Sequence, residues 1–429
     1  MLFAQAPRLA VFQPLTLSRS TVTFAAAALV VWLHSLDASV IHPQVNASPL
    51  EHLGQFLLAL LVVPAAVLAY SSANRLGQGV LGASLGFAAL IPGVTIHLAS
   101  IIKNDEFVRT DYTGVAMAAA GLVLVILGAV QLTRSIPRKR YRPLMIPAAL
   151  LSLLLFILPV AMAVYVTHVP RLVIHPQDLG AAYEEVSFQT SDGLTLRGWY
   201  VPSKNGAAVA VMHGSGGSRN RPVEHVRMLV RNGYGVLVFD VRGHGESEGG
   251  GQALGWGAHP DAAAAAAFLE ARDDVEPGRV GLLGLSMGAE IAITAAAEDD
   301  SYAAIVADGP SGRTFTDARD EDVPTVNKFL EYGGSFVAEY TVAALSTMMP
   351  PPALTSLSPR VNEPVLYIAS GDVAIEETLV TKIAERSAGP SELWVIDGAG
   401  HTEGLKNFPQ QYEERVMAFF DRLLLETAP

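Results

Sequence analysis

The chain has 429 residues, more than one ordinary domain holds. Half of them are hydrophobic, only 16% are charged and the mean hydropathy is +0.34, so part of the chain is expected in lipid. A net charge of -12 argues against a nucleic-acid partner, and the absence of cysteine excludes disulfides, thiol catalysis and Cys-ligated zinc.

The N-terminus does not read as a cleavable signal peptide, because its first apolar run begins only near Thr21 and more runs follow. Residues 1–170 read as a transmembrane domain of about five helices. The expected spans are Thr21 to Leu36, Leu53 to Ser71, Leu76 to Ile102, Tyr112 to Leu132 and Leu144 to Val166. A spanning helix needs roughly 20 mostly apolar residues. The last four runs reach that length, while the first is short and runs into His34 and Asp37. The loop before the fifth span carries Arg134, Arg138, Lys139, Arg140 and Arg142, and such a cluster stays cytoplasmic. The fifth span then leaves the membrane outward, and everything after Pro170 is expected to be extracytoplasmic. His97 lies inside the third span. An ionisable residue there can mark a transport path, but a lone His is more often a packed residue, and no internal repeat suggests a transporter.

After Pro170 the pattern changes to strands alternating with helices. Glu184 to Thr190 and Leu194 to Val201 flank Ser191-Asp192-Gly193 as a hairpin. Short apolar runs follow at Ala207 to Met212, Gly235 to Val241, Arg279 to Leu285, Ala303 to Ala307, Val365 to Ser370 and Leu393 to Ile396. Helices are expected at Arg219 to Asn232, at Ala-rich Pro260 to Arg272 and at Gln410 to Leu425. The alternation predicts a mostly parallel sheet with helices on both faces. About 50 residues between Gly312 and Glu363 break the rhythm and read as a cap, with a plain surface insertion as the alternative.

Gly284-Leu285-Ser286-Met287-Gly288 matches G-x-S-x-G, a sharp strand-to-helix turn that lifts the Ser hydroxyl above the sheet edge. The same pattern surrounds Ser84 and Ser247. Ser84 falls in a membrane span and Ser247 in a Gly-rich loop, so only Ser286 has a strand before it and a helix after it. His213-Gly214-Ser215-Gly216-Gly217 can turn backbone N–H groups toward an oxyanion. One such donor is expected from Ser215 and one from Met287, the residue after the nucleophile. A phosphate cradle is disfavoured, because no G-K-[ST] follows.

A serine nucleophile needs a base, and the base needs an orienting carboxylate. His401, in Gly398-Ala399-Gly400-His401-Thr402, follows the last strand and is the expected base. His213 and His244 read as residues that shape Gly-rich loops, and Asp240 as a structural partner of the Arg242 to Glu246 loop. The acid is expected at Asp372, after the strand Val365 to Ser370, with Glu376 and Asp308 as alternatives.

These motifs make residues 181–425 resemble the α/β-hydrolase superfamily, in a bacterial serine-hydrolase branch. The resemblance rests on Asp192-Gly193-Leu194 with Gly198-Trp199, His213-Gly214, Phe239-Asp240-Val241-Arg242-Gly243-His244-Gly245-Glu246-Ser247, the Ser286 turn and Gly400-His401. It implies an α/β-hydrolase fold over 171–429 with a cap at about 312–363, and the chain order Ser286, acid, His401. Family members often carry Gly-x-x-Asp after the acid-bearing strand, whereas Gly371 and Asp372 are adjacent here.

The expected activity is hydrolysis of carboxylic esters or thioesters through an acyl-enzyme at Ser286, with no metal or organic cofactor. A small-molecule or lipid-like acyl compound is the expected substrate. A serine peptidase resembling the prolyl-oligopeptidase relatives is the second reading, and a non-catalytic membrane sensor or scaffold the third.

Overall fold

The computed structural model describes residues 18–41, 49–104, 111–135, 147, 151–168, 171–250, 253–299, 301–320, 325–346 and 348–426. The N-terminal helices are α1 (Arg19–Leu36), α2 (Pro49–Ser72), α3 (Arg75–Pro92), α4 (Asp111–Ser135) and α5 (Leu158–Thr167). Among the described residues, three helical stretches are long and apolar enough to cross a membrane: Arg19–Ile41, Arg75–Ile102 and Asp111–Ser135. The first therefore corrects the sequence reading, which ended it at Leu36. The helix continues through π-helical Asp37–Ile41 because Asp37 turns inward and accepts a hydrogen bond from the Thr113 hydroxyl on α4. The basic loop at 138–142 and the opening residues of the fifth expected span lie outside the described residues.

Small residues let α3 and α4 approach closely, as in membrane helix pairs. A Cβ on Gly82 would lie 2.9 Å from Gly128 Cα, and one on Gly121 would lie 2.6 Å from Leu90 N. His97, just beyond α3, is packed rather than aligned along a path. Its Nδ1 lies 3.1 Å from Asp111 Oδ1, and its ring meets the edge of His34 at 4.7 Å.

The C-terminal region is an eight-stranded sheet: β1 (Glu184–Gln189), β2 (Thr195–Val201), β3 (Ala208–Met212), β4 (Gly235–Phe239), β5 (Val280–Leu285), β6 (Ala304–Asp308), β7 (Val365–Ser370) and β8 (Ser391–Ile396). Their order is β1-β2-β4-β3-β5-β6-β7-β8, antiparallel in the first two pairings and parallel from β4 onward. Strands β3 to β7 are buried along their whole length. Sheets covered on both faces need such continuous apolar runs, and helices supply the cover: α6 (Val223–Arg231), α7 (His259–Glu270), α8 (Met287–Ala296), then α11 (Ala374–Arg386) and α12 (Pro409–Phe420). One core gathers Met212, Leu282, Ile291 and Tyr367; the other gathers Val211, Leu283, Ile368 and Phe420. Alternate residues of each strand feed opposite faces.

Between β6 and β7 lie α9 (Phe315–Asp320) and the 22-residue α10 (Thr325–Ser346), where the sequence predicted a cap. Helix α10 packs along α5, the last N-terminal helix. The stalk, α5 with the segment that follows it, is tied to the sheet domain by Arg171, which donates to the carbonyl oxygens of Ser247 (2.6 Å), Gly249 (2.7 Å), Gly245 (3.1 Å) and His244 (3.3 Å).

Candidate active site

Ser286 stands alone between the end of β5 and the start of α8, with φ +53° and ψ −117°. That conformation is strained for a residue with a Cβ. It is held from both sides, since Ser286 N–H donates to Asp308 O at 2.8 Å and Ser286 O accepts from Ala289 N–H at 2.8 Å. The flanking glycines are steric requirements: a Cβ at Gly284 would collide with the Gly288 carbonyl, and one at Gly288 with the Met212 carbonyl. The competing serines are elsewhere. Ser84 is in α3, and buried Ser247 donates to Asp240 O (2.6 Å) and accepts from Arg197 N–H (2.8 Å).

His401 sits in the turn after β8, and its Nε2 lies 2.9 Å from Ser286 Oγ. Its Nδ1 lies 2.5 Å from Glu376 Oε2. With Nδ1–H donating to the carboxylate, Nε2 is left to accept the serine proton. The Glu376 carboxylate is almost fully buried, at 3% exposure, whereas the imidazole is 42% exposed. Its other oxygen, Oε1, accepts the Ser370 N–H at 2.7 Å. The hydrogen bond that His401 donates to Glu376 is the chief cause of a raised His401 pKa, and it outweighs the burial that opposes it.

The carboxylate that meets His401 is thus Glu376, and the expectation of Asp372 is corrected. Only Gly371 to Val373 separate β7 from α11, so Asp372 falls in the tight turn, where its Oδ1 accepts the Gly398 N–H at 3.1 Å. Glu376 comes one helical turn later, in the first turn of α11, and its longer side chain reaches back. Asp308 is not the partner either. It ends β6 fully buried, accepts the Tyr412 O–H at 2.8 Å, and burial pushes its pKa up to about 7.

The loop after β3 lies against Ser286, for a Cβ on Gly214 would sit 3.2 Å from Ser286 Cβ. Ser215 follows it at the surface. Met287 is the first residue of α8, where N–H groups have no acceptor within the helix. His213 is buried and neutral in its setting: Nε2 accepts the Val241 N–H at 3.1 Å, so Nδ1–H donates to Gly214 O at 2.8 Å, and burial lowers its pKa. It shapes the loop, as its position in the sequence suggests. Asp240 holds the neighbouring loop through Arg219 and the Glu246 N–H.

One group near the site escaped the sequence reading. Glu290, buried in α8, accepts the Ser311 O–H at 2.8 Å, and burial pushes its pKa up to about 7. The available signal was a single carboxylate in the mostly apolar helix that follows Ser286.

Residues 207–388 match the family model for the alpha/beta hydrolase fold. The chain is 32% identical over 253 residues to the uncharacterized protein MT2364 of Mycobacterium tuberculosis, covering 58% of this chain and 81% of that one. It is also similar to the thiohydrolase aneE of Aspergillus aculeatus, at 35% identity over 152 residues, 34% of this chain and 46% of the relative. Among solved structures, the Pyrococcus furiosus esterase Pf2001 superposes with a TM-score of 0.50 at 27% identity, covering 59% of this chain and 97% of the esterase. The fold and the site define a hydrolase. The chain belongs to the α/β-hydrolase family.

Proposed function

We propose that the protein is a membrane-anchored serine hydrolase that cleaves carboxylic esters or thioesters through an acyl-enzyme at Ser286. The observation that carries this reading is the continuous chain Ser286 Oγ, His401 Nε2, His401 Nδ1, Glu376 Oε2, with links of 2.9 and 2.5 Å. The similarity to an esterase and a thiohydrolase supports the choice of bond.

In this mechanism Ser286 Oγ attacks the acyl carbonyl carbon while His401 Nε2 takes its proton. Glu376 holds the imidazole and stabilises its charged form without taking the proton. The Met287 and Ser215 N–H groups receive the oxyanion, each such donor being worth roughly 3–4 kcal/mol of barrier. His401 then protonates the leaving group. Water, activated by the same imidazole, adds to the acyl-enzyme and releases the acid.

The N-terminal helices hold the hydrolase domain at the membrane, and five spans with a cytoplasmic 134–142 loop leave that domain extracytoplasmic. Consistent with one outer end, the segment Gly93–Leu98, which carries His97, meets α5 on its way to the domain.

The test is a fluorophosphonate probe on the full chain in membranes, paired with p-nitrophenyl esters. Wild-type protein labels and turns over; Ser286→Ala does neither, with turnover lower by on the order of 10⁴ or more. Retained turnover in that variant sinks the proposal.

A further inference from the structure

Helix α10 of the cap packs along α5 as well as against α9. Gly333 and Gly334 bring it against α5 and the π-helical turn Leu153–Ile157 before it: a Cβ on Gly333 would lie 3.0 Å from Leu155 Cδ2, and one on Gly334 would lie 3.4 Å from Pro159 Cγ. Further along, Val342 of α10 and Ala163 and Val166 of α5 close a small apolar core around Trp256. Leu254, Ala343 and Met348 pack on it.

This core touches the site on one side. Gly255, between Leu254 and Trp256, lies against the Met287 side chain, 2.9 Å from a Cβ there to Met287 Cγ. On the other side, the segment from Gly309 to Phe315 runs from the His401 ring to Phe336 of α10. A Cβ on Gly309 would lie 3.1 Å from His401 Cε1, and the Phe315 and Phe336 rings meet edge to face at 6.0 Å.

Helix α10 leaves large apolar side chains uncovered, Phe336 and Tyr340 on one side and Leu345 on another. Phe336, Tyr340 and Leu345 are 50%, 55% and 42% exposed, and Met349 just beyond is 85% exposed. On the helix that α10 packs along, Phe156, Leu158 and Met162 are likewise exposed. Exposed apolar side chains gathered in this way mark an interaction site. The packing of α10 along so apolar a helix names the occupant as lipid. Tyr340 and Phe336 also have the amphipathic and aromatic character that seats helices at the lipid–water boundary.

We propose that α10 lies within the outer leaflet alongside α5, and that the active site takes bilayer-resident acyl esters sideways from that leaflet. This rests on the serine-hydrolase reading above and narrows its substrate to esters with chains long enough to partition into lipid.

The cysteine-free chain permits a direct test in reconstituted vesicles. Single cysteines at Phe336, Tyr340 and Leu345 carry a bimane label, with Leu122 on α4 as the lipid reference and Lys406 as the water reference. Brominated lipid quenches the three α10 positions at least half as strongly as position 122, and iodide in the water quenches position 406 several-fold more than them. Fluorophosphonate labelling of each variant verifies an intact site. In the wild type, the rate on a long-chain p-nitrophenyl ester follows its mole fraction in the bilayer: tenfold dilution with lipid at fixed bulk ester lowers the rate about tenfold, while a soluble acetate ester is unaffected. The proposal is overturned if the α10 labels behave like position 406. It is overturned equally by protection from both quenchers, which means another copy of the chain covers these side chains, or by a rate that follows bulk ester. If neither ester turns over and no probe attaches, the hydrolase reading itself fails and takes this one with it.

Discussion

Glu376 Oε2 lies 2.5 Å from His401 Nδ1 while Glu376 Oε1 takes the backbone N–H of Ser370 at the end of β7. One carboxylate therefore orients the imidazole and is itself fixed by the sheet. Removing its charge costs the correct tautomer and the stabilisation of the imidazolium. Glu376→Gln is expected to lower kcat by on the order of 10³–10⁴ on a p-nitrophenyl ester. Asp372→Asn is expected to leave kcat within about twofold, because that side chain serves only the Gly398 turn. Equal losses in the two variants contradict the assignment.

The same contact sets the pH profile. Glu376 raises the His401 pKa above its ordinary 6.5, and the imidazole must be neutral to accept the serine proton. The acidic limb of kcat/KM is therefore expected above pH 6.5, with activity rising as pH passes the raised value. In Glu376→Gln the residual activity should have its limb moved downward, toward the ordinary value. For stability the sign is opposite: the charged pair supports the fold fully below pH 6.5 and ceases to as pH rises through the raised pKa. An unchanged limb in the variant rules out Glu376 as the cause.

What the residues announced and what they concealed divides along physical lines. Ser286 and His401 were legible because each is bound to a backbone signature: glycines that relieve a steric corner, and a loop after the last strand. The acid was not, because the carboxylate has to meet His401 in space. A turn of three residues after β7 aims Asp372 at Gly398 and passes the role to the next turn of helix. The helical stretch Arg19–Ile41 was under-read for a related reason, since Asp37 looks like a stop signal until the Thr113 hydroxyl that accommodates it is in view. Strands β3 to β7 were legible to within two residues because buried strands in a sheet covered on both faces must be apolar throughout. The seating of α10 on α5 was hidden, because neither helix alone declares its partner.

Two buried carboxyls make the hydrolase domain sensitive to rising pH. Burial lifts the pKa of Asp308 from 3.8 and that of Glu290 from 4.5, each to about 7. An acid with a raised folded pKa binds more protons in the native state, so stability falls between the unfolded and folded values and levels off above the latter. Thermal midpoints should therefore decline from about pH 4 to about pH 7. Asp308→Asn keeps an acceptor for the Tyr412 hydroxyl while removing the charge. It should flatten part of the decline and stabilise the protein at pH 8 by on the order of 3 kcal/mol. A variant with the wild-type slope would show that Asp308 does not titrate in this range.

Arg171 joins the N-terminal stalk to the Gly-rich loop through four carbonyl oxygens, two of them at 2.7 Å or closer. That loop is the one Asp240 also braces, through Arg219 and the Glu246 N–H. A charged donor to a carbonyl contributes about 1.5–3 kcal/mol, and removing the guanidinium leaves several acceptors partly shielded from water. Arg171→Met keeps most of the stem and deletes the donors. It should lower the stability of the hydrolase domain by on the order of 2–4 kcal/mol and speed proteolytic cleavage in 171–180, while kcat on a soluble ester changes less than about threefold. Faster cleavage with unchanged stability would mean that the arginine only pins the linker. Unchanged cleavage and stability together would mean that the four contacts contribute nothing net, and that the stalk is held to the domain by the α5–α10 apolar packing alone.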